Sequence, residues 1–381
     1  MINTAISEEG GENGPDARFG PAVRVLEAAI AERAFPGCTF GVLAGDKVVL
    51  SGALGRFTYD DVSVSVTPET VFDLASVTKV AATTAMAMLL YQRGRLDIDM
   101  PLGDVLPGFV VGRAAGDRAR HVTIRHLLAH SSGLPGYVQL FKTAHSPATL
   151  FRGCLELPLE AEPGTRAEYS DPGFILLGKA LEVIAREPLA KWTHREIFAP
   201  LGMTATRYCP SPHRRPSIPP TEEDPAWRDR VIQGEVQDEN ASVLGGVAGH
   251  AGLFSNVPDM LRLAGAVLDG EERSSGASGT SLFDRGTAEM FAERQAPAGS
   301  SRALGWDTPS GNSSAGRHFS GHSIGHLGYS GCSLWIDLDY RIAVCLLTNR
   351  TWPDRSNQLI REIRPAFHDA IREGLDSGAG E

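Results

Sequence analysis

Strand-like patterns lie near both ends of this chain, and helical patterns fill the long stretch between them. Residues 39–55 alternate in character around Gly45-Asp46, a pattern and a turn that predict a β-hairpin. Residues 331–350 carry two further strand-like runs around Asp339-Tyr340. Sequential strands usually pair or lie next to each other in a sheet. We therefore expect an antiparallel sheet built from the two terminal segments.

Helical periodicity accompanies these strands and dominates the middle of the chain. Residues 21–34 and 358–374 repeat apolar side chains at helical spacing, as do several runs between about residues 76 and 299. Residues 210–227 are rich in proline and predict a loop, and residues 274–281 predict a small-residue linker. The predicted fold class is α/β, more closely α+β, with an antiparallel sheet flanked by terminal helices plus a largely helical region.

The same patterns suggest where the domain begins and how it is divided. Residues 1–18 are polar, acidic and glycine-rich, which predicts a disordered tail before a single domain over residues 19–381. Within that domain we expect a sheet subdomain from residues 19–75 and 300–381. A helical subdomain is expected from residues 76–299.

The charge balance disfavours two classes of partner. The chain has 46 acidic and 36 basic residues, a net charge of -10, which disfavours nucleic acid and anionic membrane surfaces. The longest apolar-leaning run, from Val80 to Leu90, is too short to cross a bilayer, and no secretory signal opens the sequence. We expect a cytoplasmic protein with a small-molecule or cell-wall-derived substrate, and the sequence leaves the oligomeric state open.

The cysteine pattern disfavours a disulfide framework and a zinc site. The five cysteines are odd in number, scattered along the chain and without a Cys-x-x-Cys spacing. Most of them are expected to be buried thiols with no chemical role. No metal or organic cofactor is expected.

Ser76 and Lys79 form the first candidate pair for nucleophilic catalysis. The helix-like run after Ser76 places Lys79 three residues on, one turn away on the same face. A neutral lysine there can take the serine proton, and a helix N-terminus favours the developing alkoxide. A serine N-cap and a surface lysine explain the same spacing, so this pair alone leaves both interpretations open.

Two later segments supply further candidates. Tyr169 precedes Ser170-Asp171 and a helical run, so its hydroxyl can carry a proton between Ser76 and a leaving group, although a packing tyrosine before a helix cap also fits. His326-Leu327-Gly328 leads through Tyr329 into a strand, where a glycine lets backbone approach a substrate closely. The N–H groups of Ser76 and Tyr329 are the candidates for an oxyanion hole.

In chain order, these three segments resemble the signature of the penicillin-binding protein and serine β-lactamase superfamily, in its class C-like form. The resemblance runs from about residue 20 to the last strands and includes VTIRHLLAHSSGLPGY at residues 122–137. It implies a β-lactamase/transpeptidase-like fold, with Ser76 as nucleophile and an acyl-enzyme formed from an ester or an amide. Lys79 and Tyr169 would then manage the proton. His126 and His130 are interpreted as structural.

Two residues depart from the β-lactamase pattern. His326 stands where β-lactamases usually carry lysine, so a substrate carboxylate is expected to meet a weaker, pH-dependent cation. Asp171 stands where asparagine is common, and its charge is expected to keep Lys79 protonated and to make Tyr169 the stronger candidate base. The pattern is similar to esterase and amidase members. It predicts a carboxylesterase, a muropeptide amidase or a D-peptidase, with a weak β-lactamase as an alternative.

Residues 234–256 combine polar side chains with glycines and resemble a subgroup that acts in bacterial cell-wall turnover. The resemblance implies that His326, Gly328 and Asp171 contact the substrate. It also implies that polar side chains of residues 234–256 recognise a sugar or a peptide, and the candidates are Glu235, Asp238, Asn240 and His250. A buried, hydrogen-bonded turn explains the same composition equally well.

Two other functions fit parts of the sequence. Residues 321–325 match a Gly-x-Ser-x-Gly nucleophile elbow, in which Ser323 would be followed by Asp337 or Asp339 and by His368. An elbow needs an apolar strand before the serine and a helix after it, and the sequence shows neither. A non-catalytic penicillin-binding sensor on the same fold is the second alternative. The three segments keep chemically competent residues, which favours an enzyme.

Overall fold

The computed structural model describes residues 5–6, 17–114, 116–272 and 281–378. Of the predicted tail, residues 1–4 and 7–16 lie outside these ranges. Residues 274–280 of the predicted linker also lie outside them.

The strands and helices follow the order expected from the sequence, with short strands at both ends of the chain and most helices between them. The strands are β1 (Ala5–Ile6), β2 (Gly37–Ala44), β3 (Lys47–Gly55), β4 (Phe72–Asp73), β5 (Arg207–Tyr208), β6 (Pro220–Asp224), β7 (Arg230–Gln233), β8 (Leu253–Ser255), β9 (Ser323–Leu327), β10 (Ser333–Asp337) and β11 (Ile342–Thr348). The helices are α1 (Gly20–Ala31), α2 (Ala85–Gln92), α3 (Leu102–Val105), α4 (Ile124–Leu128), α5 (Pro147–Glu156), α6 (Asp171–Ala185), α7 (Leu189–Thr193), α8 (Glu239–Val243), α9 (Val257–Glu272), α10 (Arg285–Ala292) and α11 (Ile360–Gly378). Across the described ranges, none of these helices has both the length and the apolar character that crossing a bilayer requires.

Within the described ranges, six strands form one antiparallel sheet in the order β1-β3-β2-β11-β10-β9. The central pair, β2 and β11, joins the two ends of the chain, in a register that runs from Ala44 opposite Ile342 to Cys38 opposite Thr348. The hairpin predicted around Gly45-Asp46 is β2-β3, and the two later strands around Asp339-Tyr340 are β10 and β11. The predicted antiparallel sheet built from both ends of the chain is confirmed.

Helices cover both faces of this sheet. On one face, α1 and α11 pack together over the strands, and the ring of Phe40 in β2 meets that of Phe367 in α11 at 5.9 Å between centroids. On the other face, α9 packs against β2 and β11. Because both faces are covered, β11 is buried along its whole length and does not alternate between core and solvent.

The segment that begins with Ser76 differs from the single helix that the sequence predicts. A 3-10 turn over Ala75–Val77 is followed by a π-helical segment, Lys79–Thr84, and only then by α2. The Thr83 hydroxyl donates to the Gly249 carbonyl at 2.6 Å, and the Thr78 hydroxyl accepts the Leu253 N–H at 3.1 Å. Both bonds join the segment to residues that are distant in the sequence. Helical periodicity reports only local spacing and therefore did not predict the π-helical turn.

The prediction of a loop over residues 210–227 is wrong in part. A 3-10 turn forms over Pro212–Ser217, and β6 pairs with β7 as a two-stranded hairpin. Pro220 is the first residue of β6, a position where proline's missing N–H can be tolerated. The prolines therefore mark the entry to a strand as well as a loop.

Candidate active site

Ser76 lies in the 3-10 turn Ala75–Val77, at the floor of a cleft between the sheet and the helical region. Its Oγ accepts a hydrogen bond from Nζ of Lys79 at 2.9 Å, as the three-residue spacing predicts. The Ser76 side chain is half-buried, whereas Lys79 has no exposed surface. The nucleophile candidate is therefore reachable from the cleft, and its lysine partner is not.

Lys79 is held by two further groups. Nζ lies 2.7 Å from Oδ1 of Asp171, the first residue of α6, and donates to the carbonyl of His250 at 3.2 Å. Burial tends to lower the pKa of Lys79, but the charge of Asp171 and the neighbouring Tyr169 hydroxyl outweigh burial and raise it above its ordinary value. Lys79 is therefore a cation at neutral pH, as expected from the aspartate in the second segment.

Tyr169 completes the group around Ser76. Its ring centroid lies 4.7 Å from Nζ of Lys79, and its hydroxyl interacts with both Ser76 and Lys79. Burial, followed by the charge of Asp171, raises the pKa of the Tyr169 hydroxyl, although Lys79 opposes the rise. Tyr169 therefore carries its proton at neutral pH.

The local sequence explains how Tyr169 reaches this position. The next residue, Ser170, is the N-cap of α6, and its hydroxyl accepts the Gly173 N–H at 3.0 Å. The Ser170 N–H donates to Nδ1 of His130 at 2.9 Å, and the His130 ring packs against Tyr169 at 4.6 Å. Burial holds the pKa of His130 far below its ordinary value. His130 is thus a neutral supporting side chain. His126 closes the capping box of α4, so both histidines have structural partners.

His326 lies in β9, with its ring 5.8 Å from that of Tyr169. Nδ1 lies 2.8 Å from the Leu327 carbonyl and must donate to it, since a carbonyl only accepts. Burial, together with the nearby charges of Lys79 and Arg302, pushes the pKa of His326 far below its ordinary value. The ring is therefore neutral at physiological pH. The expectation that His326 supplies a pH-dependent cation is wrong, because burial beside two cations excludes a third charge.

The turn after His326 packs against the nucleophile segment. The Gly328 N–H donates to the Cys332 carbonyl at 2.7 Å, and a side chain on Gly328 would meet the Leu74 carbonyl at 2.4 Å. Glycine is therefore required at this close approach. Ser76, Gly328 and Tyr329 all line the cleft, which places the two residues predicted to form the oxyanion hole on the same cavity.

Three other predicted binding residues lie in different surroundings. Glu235 forms ion pairs with Arg215 and Arg230, and its carboxylate is not part of the described cleft lining. The Asn240 amide is fully buried and bonds to the Phe141 N–H and the Val138 carbonyl. Both positions agree with the alternative of a hydrogen-bonded turn. The prediction that Glu235 and Asn240 contact a substrate directly is therefore wrong.

His250 is also buried, with 1% of its surface exposed. Nε2 lies 2.8 Å from Oδ1 of Asp238, and the His250 backbone carbonyl accepts from Lys79. Asp238, by contrast, lines the cleft. His250 therefore supports Asp238 and Lys79 from the buried side of the cleft wall. The prediction that the His250 ring contacts a substrate is wrong.

The cleft has a volume of about 740 Å³ and includes residues that the sequence did not single out. The Arg302 guanidinium lies 5.3 Å from the Tyr169 ring and 3.7 Å from the Asp307 carboxylate. Arg355 lines the same cavity, as does Tyr137, which ends the family-like segment 122–137 but had no predicted role. No local motif marks Arg302 and Arg355, which reach the cleft from distant loops. Among the residues that the structure describes, no group of three or more His, Cys, Asp or Glu side chains is arranged to hold a metal ion.

The alternative elbow around Ser323 is not assembled. Ser323 is fully buried at the start of β9, so a strand follows it where an elbow needs a helix. His368 bonds to the Ser314 carbonyl at 2.7 Å, and Asp337 bonds to Ser320. The triad partners are thus occupied elsewhere.

Comparison with known proteins agrees with this geometry. Residues 22–365 match the Beta-lactamase family. The chain is 32% identical to N-acetylmuramyl-L-alanine amidase of Bacillus subtilis, over 86% of this chain and 80% of that protein. It is 31% identical to a Salmonella typhi protein named "Putative D-alanyl-D-alanine carboxypeptidase", over 83% and 79% of the two chains.

Solved structures show the same fold at lower identity. EstCE1, a hydrolase with promiscuous acyltransferase activity, superimposes with a TM-score of 0.75 at 21% identity, over 94% of this chain and 99% of that one. A class C β-lactamase from Rhodobacter sphaeroides gives a TM-score of 0.71 at 21% identity, over 93% and 99%. The chain therefore belongs to the Beta-lactamase family and is a serine hydrolase of that fold.

Proposed function

We propose that this hydrolase cleaves the amide that joins the lactyl group of N-acetylmuramic acid to L-alanine. The Bacillus subtilis relative that carries the corresponding name is matched over most of both chains. The proposed reaction uses Ser76 as nucleophile, Tyr169 as the proton carrier and Lys79 as a fixed cation.

The observation that carries this choice is the neutral state of His326. A β-lactamase or a D-alanyl carboxypeptidase acts next to a substrate carboxylate, which favours a cation at that position. Here the ring is neutral, with Nδ1 committed to the Leu327 carbonyl. The two cations near this ring each face a carboxylate of the protein, Lys79 that of Asp171 at 2.7 Å and Arg302 that of Asp307 at 3.7 Å. This arrangement favours a scissile amide without an adjacent free carboxylate.

The walls of the cleft support a sugar-bearing substrate. Tyr137 and Tyr329 line it and are 46% and 50% exposed. The Tyr329 ring is held from one side by the Arg350 guanidinium, 4.4 Å from its centroid. Two exposed glutamines, Gln139 and Gln358, line the same cavity. Exposed aromatic faces beside amide hydrogen-bonding groups suit the apolar face and the hydroxyls of a pyranose ring.

Acylation follows from the protonation states. Ser76 Oγ attacks the lactyl carbonyl, and the N–H groups of Ser76 and Tyr329 stabilise the oxyanion. The Ser76 proton passes to the Tyr169 hydroxyl oxygen as Tyr169 gives its own proton to the departing amine nitrogen. The C–N bond breaks, L-alanine or its peptide leaves, and an ester to Ser76 remains. Cationic Lys79 stabilises the charge that develops on both oxygens.

Deacylation reverses the proton path. Water attacks the ester carbonyl while Tyr169 accepts its proton and returns one to Ser76 Oγ. N-acetylmuramic acid leaves with its free carboxylate, and the enzyme regains its starting state. No net change in the protonation of Tyr169 or Lys79 is needed, in agreement with the raised pKa of both groups.

The test is incubation with N-acetylmuramyl-L-alaninamide, in which the alanine carboxyl is blocked as it is in a peptide, with release of L-alaninamide followed by mass spectrometry. N-acetyl-L-alaninamide, which lacks the sugar and the lactyl group, and a D-alanyl-D-alanine peptide with a free carboxylate serve as comparison substrates. The proposal expects release from the muramyl compound by the wild type and none by Ser76→Ala. Release of D-alanine from the peptide, with the muramyl amide left intact, would overturn it in favour of a carboxypeptidase.

A further inference from the structure

A buried carboxylate lies directly beneath the nucleophile turn. Asp73 ends β4 and is 2% exposed. Its Oδ1 accepts the Ala75 N–H at 2.8 Å, and its Oδ2 accepts the Gln237 N–H at 2.8 Å. Asp73 is absent from the described lining of the cleft, so its side chain acts on neighbouring backbone and does not contact a substrate.

The bond to Ala75 holds an unusual backbone conformation. Ala75 has φ +46, in the left-handed region that residues with a side chain rarely adopt. Such strain persists only where surrounding contacts enforce it. Because Ala75 immediately precedes Ser76, this conformation directs the Ser76 N–H and the Ser76 side chain.

The backbone of Asp73 also fixes the turn that carries Tyr329. The Asp73 carbonyl accepts the Ser330 hydroxyl at 2.8 Å. The neighbouring Cys332 thiol approaches the same carbonyl at 3.5 Å. One residue therefore anchors both N–H groups proposed for the oxyanion hole, those of Ser76 and Tyr329.

The second carboxylate oxygen links this unit to the segment behind Lys79. Gln237, whose N–H Asp73 accepts, is followed by Asp238, which bonds to the His250 ring at 2.8 Å. The His250 carbonyl in turn accepts from Lys79 at 3.2 Å. The turn that carries Ser76, the turn that carries Tyr329 and the segment that supports Lys79 through His250 therefore meet at Asp73.

We propose that Asp73 is a positioning residue that sets the geometry of the oxyanion hole and of the Ser76 hydroxyl. Its carboxylate holds the Ala75 turn and the Gln237 segment, and its carbonyl holds the Ser330 turn. The reaction of Ser76 with any acylating or phosphonylating group depends on this arrangement. The proposal concerns the nucleophile itself and does not depend on the identity of the natural substrate.

The charge of Asp73 gives the proposal a distinctive pH signature. Burial raises the pKa of Asp73 to about 6, the Asp238 charge adds to the rise, and the two backbone N–H groups and Arg228 oppose it. The Cys332 thiol, which approaches the Asp73 carbonyl, stays neutral because burial raises its pKa to about 11. As the pH falls through about 6, the carboxyl gains a proton and loses acceptor capacity toward its N–H partners. The reactivity of Ser76 is expected to decline over the same range.

The experiment measures the rate at which a fluorophosphonate modifies Ser76, by intact mass, across a pH series. In Asp73→Asn the amide oxygen can accept one N–H, whereas the amide nitrogen cannot accept the other. We expect the rate at neutral pH to fall about tenfold or more, in line with the cost of disturbing an oxyanion hole. We also expect the decline near pH 6 to disappear, because an amide does not titrate.

Asp259→Asn is the matched control. Asp259 is 1% exposed and accepts the N–H groups of Ala205 and Thr206 at 2.9 and 3.0 Å, away from the cleft. This variant should lose thermal stability but keep the wild-type rate and pH profile. If Asp73→Asn behaves in the same way, Asp73 has only a structural role and the proposal is overturned.

A second variant covers the case in which Asp73→Asn does not fold. Ser330→Ala removes the hydroxyl that donates to the Asp73 carbonyl and leaves the carboxylate and its pH response in place. We expect a several-fold lower rate of Ser76 modification, with the decline near pH 6 retained. If folded Ser330→Ala is modified at Ser76 at the wild-type rate, the proposed link between Asp73 and the turn that carries Tyr329 is overturned.

Discussion

The Asp171 carboxylate lies 2.7 Å from the Lys79 ammonium, which in turn lies 2.9 Å from the Ser76 hydroxyl. This pairing raises the pKa of Lys79, and in the proposed mechanism the protonated Lys79 stabilises negative charge on Ser76 and does not take its proton. The proposed proton path therefore runs through Tyr169, whose hydroxyl interacts with both groups. On this proposal, one acidic residue in the second segment separates the roles of lysine and tyrosine.

Asp171→Asn is expected to change the pH dependence of ester hydrolysis. Without the carboxylate, burial dominates and the pKa of Lys79 falls, so the cation is lost at lower pH. The alkaline limb of kcat/KM should move down by about one pH unit or more. Rates with a chromogenic acetate ester across a pH series measure this shift. An unchanged alkaline limb would show that Asp171 does not set the charge of Lys79.

The same substitution is expected to destabilise the fold. Removing one partner of a buried ion pair costs about 3 kcal/mol, and Lys79 is fully buried. The folded-state pKa of Lys79 is raised, so the stabilisation is present below the ordinary lysine pKa and is lost as pH rises through the folded value. The free energy of unfolding is measured by chemical denaturation. Glu160→Gln, which breaks an exposed ion pair with Arg166, is the control, and its free energy of unfolding should change by less than about 1 kcal/mol.

Tyr169→Phe is expected to abolish proton transfer while leaving the fold intact. The ring keeps its contacts with His130 and Lys79, and only the hydroxyl is lost. We expect kcat to fall about 100-fold to 10,000-fold, the usual contribution of a general acid-base group. Tyr208→Phe, which removes a hydroxyl from a buried tyrosine bonded to the Ala248 carbonyl, should keep activity. Equal activity in the two variants would exclude Tyr169 as the proton carrier.

The neutral state of His326 predicts how the enzyme treats charged substrates. Because the pKa of His326 lies far below its ordinary value, no cation is expected there as the pH falls from about 8 through the usual histidine pKa of about 6.5. The ratio of kcat/KM for a carboxylate-bearing ester to that for its methyl ester should stay flat over this range, apart from titration of the substrate itself. A ratio that rises as the pH falls toward 5 would mean that His326 becomes charged.

The exposed Tyr137 ring of the cleft wall is expected to act on KM. Tyr137→Ala removes a half-exposed ring from the wall and leaves the residues assigned to the oxyanion hole unchanged. We expect KM for N-acetylmuramyl-L-alaninamide to rise about tenfold, whereas kcat/KM for a small acetate ester stays close to wild type. Tyr340→Ala, at a ring 58% exposed outside the described cleft lining, is the control. Equal effects on both substrates would argue against a sugar-binding wall.

The sequence predicted those features whose cause is local. The hairpin around Gly45-Asp46 and the antiparallel sheet followed from alternation and turn residues, and the order of the three segments pointed to the correct family. The proximity of Ser76 and Lys79 followed from a spacing of three residues.

Features that depend on distant contacts were missed. The π-helical segment after Ser76 is shaped by bonds from Thr78 and Thr83 to residues 249–253, and the neutral state of His326 comes from burial beside Lys79 and Arg302. The composition of residues 234–256 did not distinguish cleft residues from buried ones. Only Asp238 among the four candidates there lines the cleft. Such outcomes depend on which segments meet in three dimensions, which a single sequence does not specify.

The most direct test of the central claim is covalent labelling of the nucleophile. The wild type, Ser76→Ala and Ser323→Ala are incubated with a fluorophosphonate, and the modified residue is located by intact mass and peptide mapping. We predict one adduct on Ser76 in the wild type and in Ser323→Ala, none in Ser76→Ala, and a loss of hydrolysis of about a thousandfold in Ser76→Ala. An adduct that persists in Ser76→Ala, or a rate near that of the wild type, would contradict the assignment of Ser76 as the nucleophile.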